Sequence, residues 1–148
     1  MSDEVPFALP VTPEAARPLL EDWRWLVPEE LTPLFLTTLG DWIFGAPDGS
    51  IWTLSLLEGD LRMLARTGTD YNRMKADPQW LDDELGAGWA IIAHGNGLVP
   101  GPDQCLGWKV HPIFGGAFDK TNLQLFSMGV YQSLMGQLFR QLARRPVR

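Results

Sequence analysis

Apolar positions change period along the chain, and each change marks an element. Thr12-Pro13-Glu14 pairs an N-cap residue with a proline and an acid in the first turn, which predicts a helix running to about Leu20 that Pro18 shortens. Pro28-Glu29-Glu30 repeats that opening, and Leu31, Leu34, Phe35 and Leu39 follow at near-helical spacing before Gly40, so a second helix is expected there. From Asp41 the pattern alternates. Trp42 to Gly45, Ser50 to Leu57 and Leu61 to Ala65 are separated by Pro47-Asp48-Gly49 and Glu58-Gly59-Asp60, which predicts a three-stranded antiparallel meander. In its middle strand Trp52, Leu54 and Leu56 should face the core, and Ile51, Thr53 and Ser55 the other side. Helical patterning resumes near Thr69, and Pro78 opens a helix through about Ala93 that Gly95 stops. Gln104 to Val110 and Asn122 to Phe126 read as two more strands joined through Gly115-Gly116. Ser127 then caps a last amphipathic helix with Val130, Leu134, Leu138 and Leu142 along its buried stripe. The expected fold is α+β, a mainly antiparallel sheet (the meander plus a C-terminal hairpin) with helices packed on it. Its core should include Trp42, Trp52, Leu54, Leu56, Leu134 and Leu138.

With 148 residues the chain suits one domain, and 45% apolar against 20% charged residues argues for a packed globule. No apolar run approaches the roughly 20 residues that cross a bilayer. The start Met1-Ser2-Asp3-Glu4 is acidic where a secretory leader would be basic, so a cytoplasmic protein is expected. The lone Cys105 agrees with a reducing compartment. Charge is segregated: residues 1–60 carry eleven acids against two arginines, whereas residues 104–148 carry one acid against six bases. The only basic cluster is Arg140, Arg144, Arg145 and Arg148, without interleaved aromatics, which argues against direct nucleic-acid binding. The acidic part either keeps the protein soluble or complements a basic protein partner.

Catalytic constellations are not apparent. His94 and His111 lack metal-ligand spacing; His94 ends a helix, and His111, before Pro112, reads as an exposed loop side chain. Gly95-Asn96-Gly97 follows a helix and is a turn, not a phosphate cradle. Cys105 falls among apolar strand neighbours and should be a buried thiol. No metal and no cofactor are expected. Asp82-Asp83-Glu84 is the densest acidic run; consecutive carboxylates fan around a helix, so they should not converge on a substrate, and they fall early enough after Pro78 to favour the helix dipole. Alternatively they form a contact surface for a cationic partner, with Trp80 as its anchor.

From Gly101 to Leu142 the order of residues is distinctive: Gly101, Pro102, Gln104, Cys105, Gly107 and Lys109, then Gly115-Gly116, then Asn122-Leu123, then Gly136-Gln137-Leu138. It resembles the C-terminal domain of the Tdi-type immunity proteins of bacterial type VI secretion, formerly a domain of unknown function. Leu106, Trp108 and Gln124 depart from the family pattern, and the meander carries a related Asp-x-x-Phe, Asp-Gly, Trp-x-Leu variant. The resemblance implies a non-enzymatic antitoxin that binds a secreted effector, often a DNase. The motif itself reads as structural: glycines for turns, Asn122 to close a turn, Gly136 to let the last helix approach the sheet.

Together these readings favour a cytoplasmic immunity protein for a cationic, nuclease-like toxin, with Glu29, Glu30, Asp48, Trp80, Asp82, Asp83 and Glu84 as candidate contacts. The alternative is a binding or regulatory module with a small-molecule pocket lined by Trp42, Trp52, Trp89 and Trp108.

Overall fold

A computed structural model describes residues 7–144. The acidic start at Met1 to Glu4 and the terminal Arg145 and Arg148 lie outside the described residues. The architecture is α+β. A five-stranded antiparallel sheet has the order β1 (Ala8–Pro10), β2 (Thr32–Thr37), β3 (Trp42–Gly45), β4 (Ile51–Ser55), β5 (Asp60–Ala65), each strand pairing with its neighbour in sequence. A separate antiparallel hairpin joins β6 (Gln104–Trp108) to β7 (Leu123–Ser127). The helices are α1 (Pro13–Leu19) between β1 and β2, then α2 (Gly68–Lys75), α3 (Pro78–Leu85) and α4 (Ala87–Gly95) in succession, and α5 (Met128–Arg144) at the end.

Thr12 caps α1 as expected, its hydroxyl accepting from the Ala15 amide at 3.2 Å. The second expected helix is instead strand β2. Pro33 would have fallen inside that helix, where it removes an amide and clashes with the preceding turn. In the sheet it sits where the β2–β3 register shifts, the irregular position a strand proline tolerates. Gly40 therefore ends a strand connection, not a helix, with φ +84°. The expected helix through Ala93 is broken at Gly86, whose φ of +70° ends α3 and starts α4.

The sheet is covered on both faces. On one face Trp42, Phe44, Leu54 and Leu56 pack with Leu20, Trp23, Tyr131 and Phe139 from α1, the turn after it, and α5. On the other, Ile43, Ile51 and Ala65 pack under Tyr71 of α2 and Leu85 of α3. Ile51 is buried by that second layer, and Thr53 and Ser55 are buried on the same side, so β4 is buried on both sides and Trp52 is the half-buried member. A third cluster seats α4 on the hairpin through Ala90, Ala93, Leu106, Trp108 and Leu123.

Helix α5 presents a different face from the expected one. Val130 and Leu134 are exposed and Leu138 is half-buried, while Tyr131, Gln132, Gly136 and Phe139 are buried. Spacing explains the difference: Val130, Leu134 and Leu138 advance by four residues each and drift around a 3.6-residue helix. Met128, Tyr131, Met135, Phe139 and Leu142 combine steps of three and four and stay on the core, so of the expected stripe Leu142 is kept there. Replacing Phe139 by alanine should cost about 3 to 5 kcal/mol, because it empties a site stacked against Trp23. Leu134→Ala should change stability by no more than about 0.5 kcal/mol. Urea unfolding of the two variants checks the assigned face, and equal losses would refute it.

Candidate functional site

The Asp41 carboxyl is where burial and charge conflict most. It follows Gly40 in the turn between β2 and β3 and is 8% exposed. Thr37 shapes this turn, its hydroxyl accepting from the amides of Leu39 and Asp41. Asp41 Oδ1 accepts the Leu56 amide at 2.8 Å, and Oδ2 has no hydrogen-bond partner among the described residues. Burial pushes this carboxyl up from 3.8 to about 7, the Leu56 hydrogen bond and the Arg62 charge opposing the shift only in part.

Asp41 lines a cleft of about 180 Å³ bordered by the β4–β5 turn, the end of α3, the start of α4 and the hairpin. Glu58, Asp82, Asp83 and Glu84 border it with a single cation, Arg62, and Trp89 and Trp108 form part of its apolar wall. The two indoles meet edge to face at 5.1 Å. Arg62 is held by the carboxyls around it: its Nη2 donates to the Glu84 carbonyl at 2.7 Å and pairs with the Glu84 carboxylate at 3.2 Å, while Nη1 lies 3.6 Å from Glu58 and 3.7 Å from Asp60.

All three residues of the acidic run border this one cleft, while their carboxylates go to separate partners, Gly88, Gln79 and Arg62. The helix ends at Leu85 and the chain turns at Gly86, so the cleft wraps around a helix end. These acids also sit in the last turn of α3, where the helix dipole disfavours them, and not in the first. Local partners offset this. Asp82 Oδ1 accepts the Gly88 amide at 2.9 Å, satisfying a donor at the start of α4. Asp83 accepts from the Gln79 side chain, also at 2.9 Å.

The remaining candidates are not gathered there. Trp80 is half-buried, edge-on to Tyr71, and belongs to the layer under α2 and α3 instead of standing out as an anchor. Asp48 is exposed but occupied within its own turn, where the Ser50 hydroxyl and amide hold its carboxyl below the usual range. Glu29 and Glu30 are exposed in the connection before β2, and Glu29 lines a different depression beside Arg17 and Arg24. The four tryptophans do not share a pocket either, since Trp42 is fully buried and stacked on Phe44. A larger cavity, about 580 Å³, lies between β1, α1, the loop after α4 and the start of α5, and no tryptophan lines it among the described residues.

The C-terminal motif residues are accounted for by packing. Gln104 accepts the Gly101 amide at 2.9 Å. A side chain at Gly107 would collide with Tyr131 and Phe126, and one at Gly116 with the Val110 carbonyl. Gly115 takes φ +87° in the same loop. Asn122 closes that loop, donating to the carbonyls of Val110 and Ala117 and accepting the Val110 amide. Leu123 is buried beneath α4. Gly136 gives close approach to the Asp22 carbonyl in the turn after α1, not to the sheet, and its own carbonyl accepts from Trp25 Nε1 at 3.2 Å. Gln137 is exposed and donates to Ser133.

Cys105 is buried, its thiol pushed up to about 12 by burial and then by Asp41. His111 is buried too, not an exposed loop side chain. A carbonyl can only accept, so the 3.1 Å contact with Leu56 O requires a proton on Nε2, and Nδ1 accepts the Ile113 amide. Both nitrogens are committed in the neutral tautomer, and burial lowers the pKa below its ordinary value. Residues that sequence reasoning did not single out, Asp41, Arg62 and Glu58, complete the cleft; its signal was the acid directly after Gly40.

The chain matches no protein-family model and no curated protein. Among solved structures it is similar to the crystal structure of Atu4351 from Agrobacterium tumefaciens, with a TM-score of 0.59 at 12% sequence identity, covering 90% of this chain and 68% of that one. The likeness is one of fold.

Asp41 makes stability depend on pH. Between 3.8 and about 7 the folded state holds a proton on this carboxyl that the unfolded chain has released. Its contribution is therefore fully present below 3.8 and is lost as pH rises through about 7. Asp41→Asn keeps an acceptor for Leu56 and removes the titration. Urea unfolding at several pH values should show a shallower fall in stability across this window for the variant than for the wild type. Parallel curves would show that Asp41 ionises normally.

Proposed function

We propose that the chain is a non-enzymatic immunity protein, an antitoxin that binds and neutralises a cognate type VI secretion effector in the cytoplasm of the producing cell. The effector is a cationic protein, a DNase or other nuclease, and the chain itself contacts neither nucleic acid nor membrane. One observation carries this reading. Five carboxyl groups line a cleft that holds one cation, Arg62, and because Arg62 is paired with Glu58 and Glu84 it offsets only part of their negative field. A nuclease must carry cationic groups to hold phosphates, so its substrate-binding face is complementary to such a field. The Tdi-like order of residues between Gly101 and Leu142 supports the same assignment.

A second reading rests on the large cavity. Leu9, Val11, Leu19, Leu36 and Leu106 line it, with His94 and Gln104 among its polar groups, which suits a small apolar ligand with a polar end and a role as a binding or regulatory module.

The deciding experiment expresses the product of the adjacent gene alone and together with this chain. Growth arrest by that product alone, relieved by co-expression, and a stable complex of the two proteins are expected. A harmless neighbour, or a toxic one that this chain neither binds nor relieves, would overturn the antitoxin reading.

A further inference from the structure

Three features of the cleft select its occupant. Its volume of about 180 Å³ has room for one long side chain and little more. Its walls include Leu57, Leu85 and Leu106 with the Trp89 and Trp108 rings, so a cation entering it needs an apolar stem. Asp41 lines the same space, nine-tenths buried, with one oxygen satisfied by Leu56 and the other without a hydrogen-bond partner. Arg62 does not fill that role, because its guanidinium is drawn to Glu84, Glu58 and Asp60 and makes no ion pair with Asp41 among the described residues. Nor do the carboxyls converge on a point charge: among the described residues no three acidic, histidine or cysteine side chains are placed to hold a metal ion. A dispersed set of acceptors beside an indole suits a planar, delocalised cation that bonds in several directions and stacks on an aromatic face.

We propose that this cleft receives one arginine side chain of the partner protein, its guanidinium bound by Asp41 and the α3 carboxyls and its stem packed against Trp89. The inference deepens the antitoxin reading and rests on it for the identity of the partner. Association then ionises Asp41, because a cation in contact with the buried carboxyl offsets the desolvation that keeps it protonated. The charged groups acting on Asp41 are Arg62, Glu58 and Asp60 of the β4–β5 hairpin; Cys105 of β6 and Tyr131 of α5 feel its charge, and Asp82, Asp83 and Glu84 of α3 border the same cleft. Burial raises Cys105 and Tyr131 well above neutrality and lowers His111, which binds the Leu56 carbonyl, below its ordinary value, so the change near pH 7 is assigned to Asp41.

The test titrates N-acetyl-arginine N-methylamide into the full chain and follows the indole N–H resonances of Trp89 and Trp108. Saturable shifts are expected, with affinity rising as the pH is raised through about 7, the value set by Asp41. Asp41→Asn, which keeps the acceptor for Leu56, should weaken binding at least about tenfold, the loss of one partner of a buried charge pair. Asp83→Asn changes an exposed residue of the rim and should weaken it less, giving a second variant should the first fail to fold. Glu14→Gln, an exposed acid of α1, should bind as the wild type does. Absence of saturable shifts, or equal binding by folded Asp41→Asn and Asp83→Asn, would overturn the proposal. The two readings separate cleanly: an effector that binds Asp41→Asn as tightly as wild type removes the arginine site and leaves the antitoxin intact. An effector that is never bound removes the antitoxin, and the analogue titration still decides what the cleft accepts.

Discussion

The Gln132 side chain joins the last helix to the sheet, and the geometry of the cleft depends on it. It is completely buried, its Oε1 accepting from Trp42 Nε1 at 3.0 Å and its Nε2 donating to the Gly40 carbonyl at 2.6 Å. An unpaired buried amide is costly, so α5 can dock only in the register that satisfies both ends. That register places Tyr131 one residue earlier over Gly107 and Phe139 two turns later over Gly59, both positions where a side chain would block the approach. Holding the Gly40 carbonyl also fixes the turn from which Asp41 projects. A polar contact deep in an apolar core thus determines where a carboxylate meets solvent.

The cleft forms where separate packing units meet. Leu85 belongs to the layer beneath the sheet, Leu56 to the layer above it, and Leu106 and Trp108 to the hairpin under α4. The hairpin is tied to the sheet connection by the Leu106 amide, which donates to the Thr38 carbonyl at 2.6 Å. His111 adds a tie from the loop after β6 to the Leu56 carbonyl, the residue whose amide binds Asp41. Leu56 is therefore held through its carbonyl by a neutral imidazole and through its amide by a carboxyl, and both partners have pKa values displaced toward their uncharged forms by burial.

Strands β3 to β5, the hairpin and the capped α1 were legible because alternation and turn chemistry agreed with the final structure. Three misreadings have physical causes. Around Pro28, a helix-like opening and spaced leucines concealed a strand, and Pro33 was the discriminating signal. On α5 the true stripe contains Gln132 and Gly136, so hydrophobicity favours the aliphatic neighbours Val130 and Leu134, although both are exposed. His111 looked like a loop residue because its partners, Leu56 and Ile113, are a long-range carbonyl and a local amide that no spacing rule reveals. The acidic run was visible as composition. Its place on the border of a cleft depended on Gly86 ending the helix and on Asp41, distant in sequence, lining the same space.

The division of labour between the two halves of the chain follows from these constraints. The glycines at 107, 116 and 136, with Asn122, are committed to close approaches and loop closure, so their identity is set by the fold and is indifferent to what the protein binds. The acids of the β4–β5 turn and α3 are under no such constraint beyond local hydrogen bonds and the ion pairs with Arg62, and charge changes on exposed positions usually alter stability little. Two chains with one scaffold can therefore differ freely in cleft charge while keeping the same C-terminal residues. Asp41 is the exception, because it serves both: its hydrogen bond to Leu56 supports the turn, and its second oxygen adds a carboxylate to the cleft that burial holds near its ionisation point. A carboxyl in that condition responds strongly to an approaching cation, since each protonation state is available at little cost and only one of them binds.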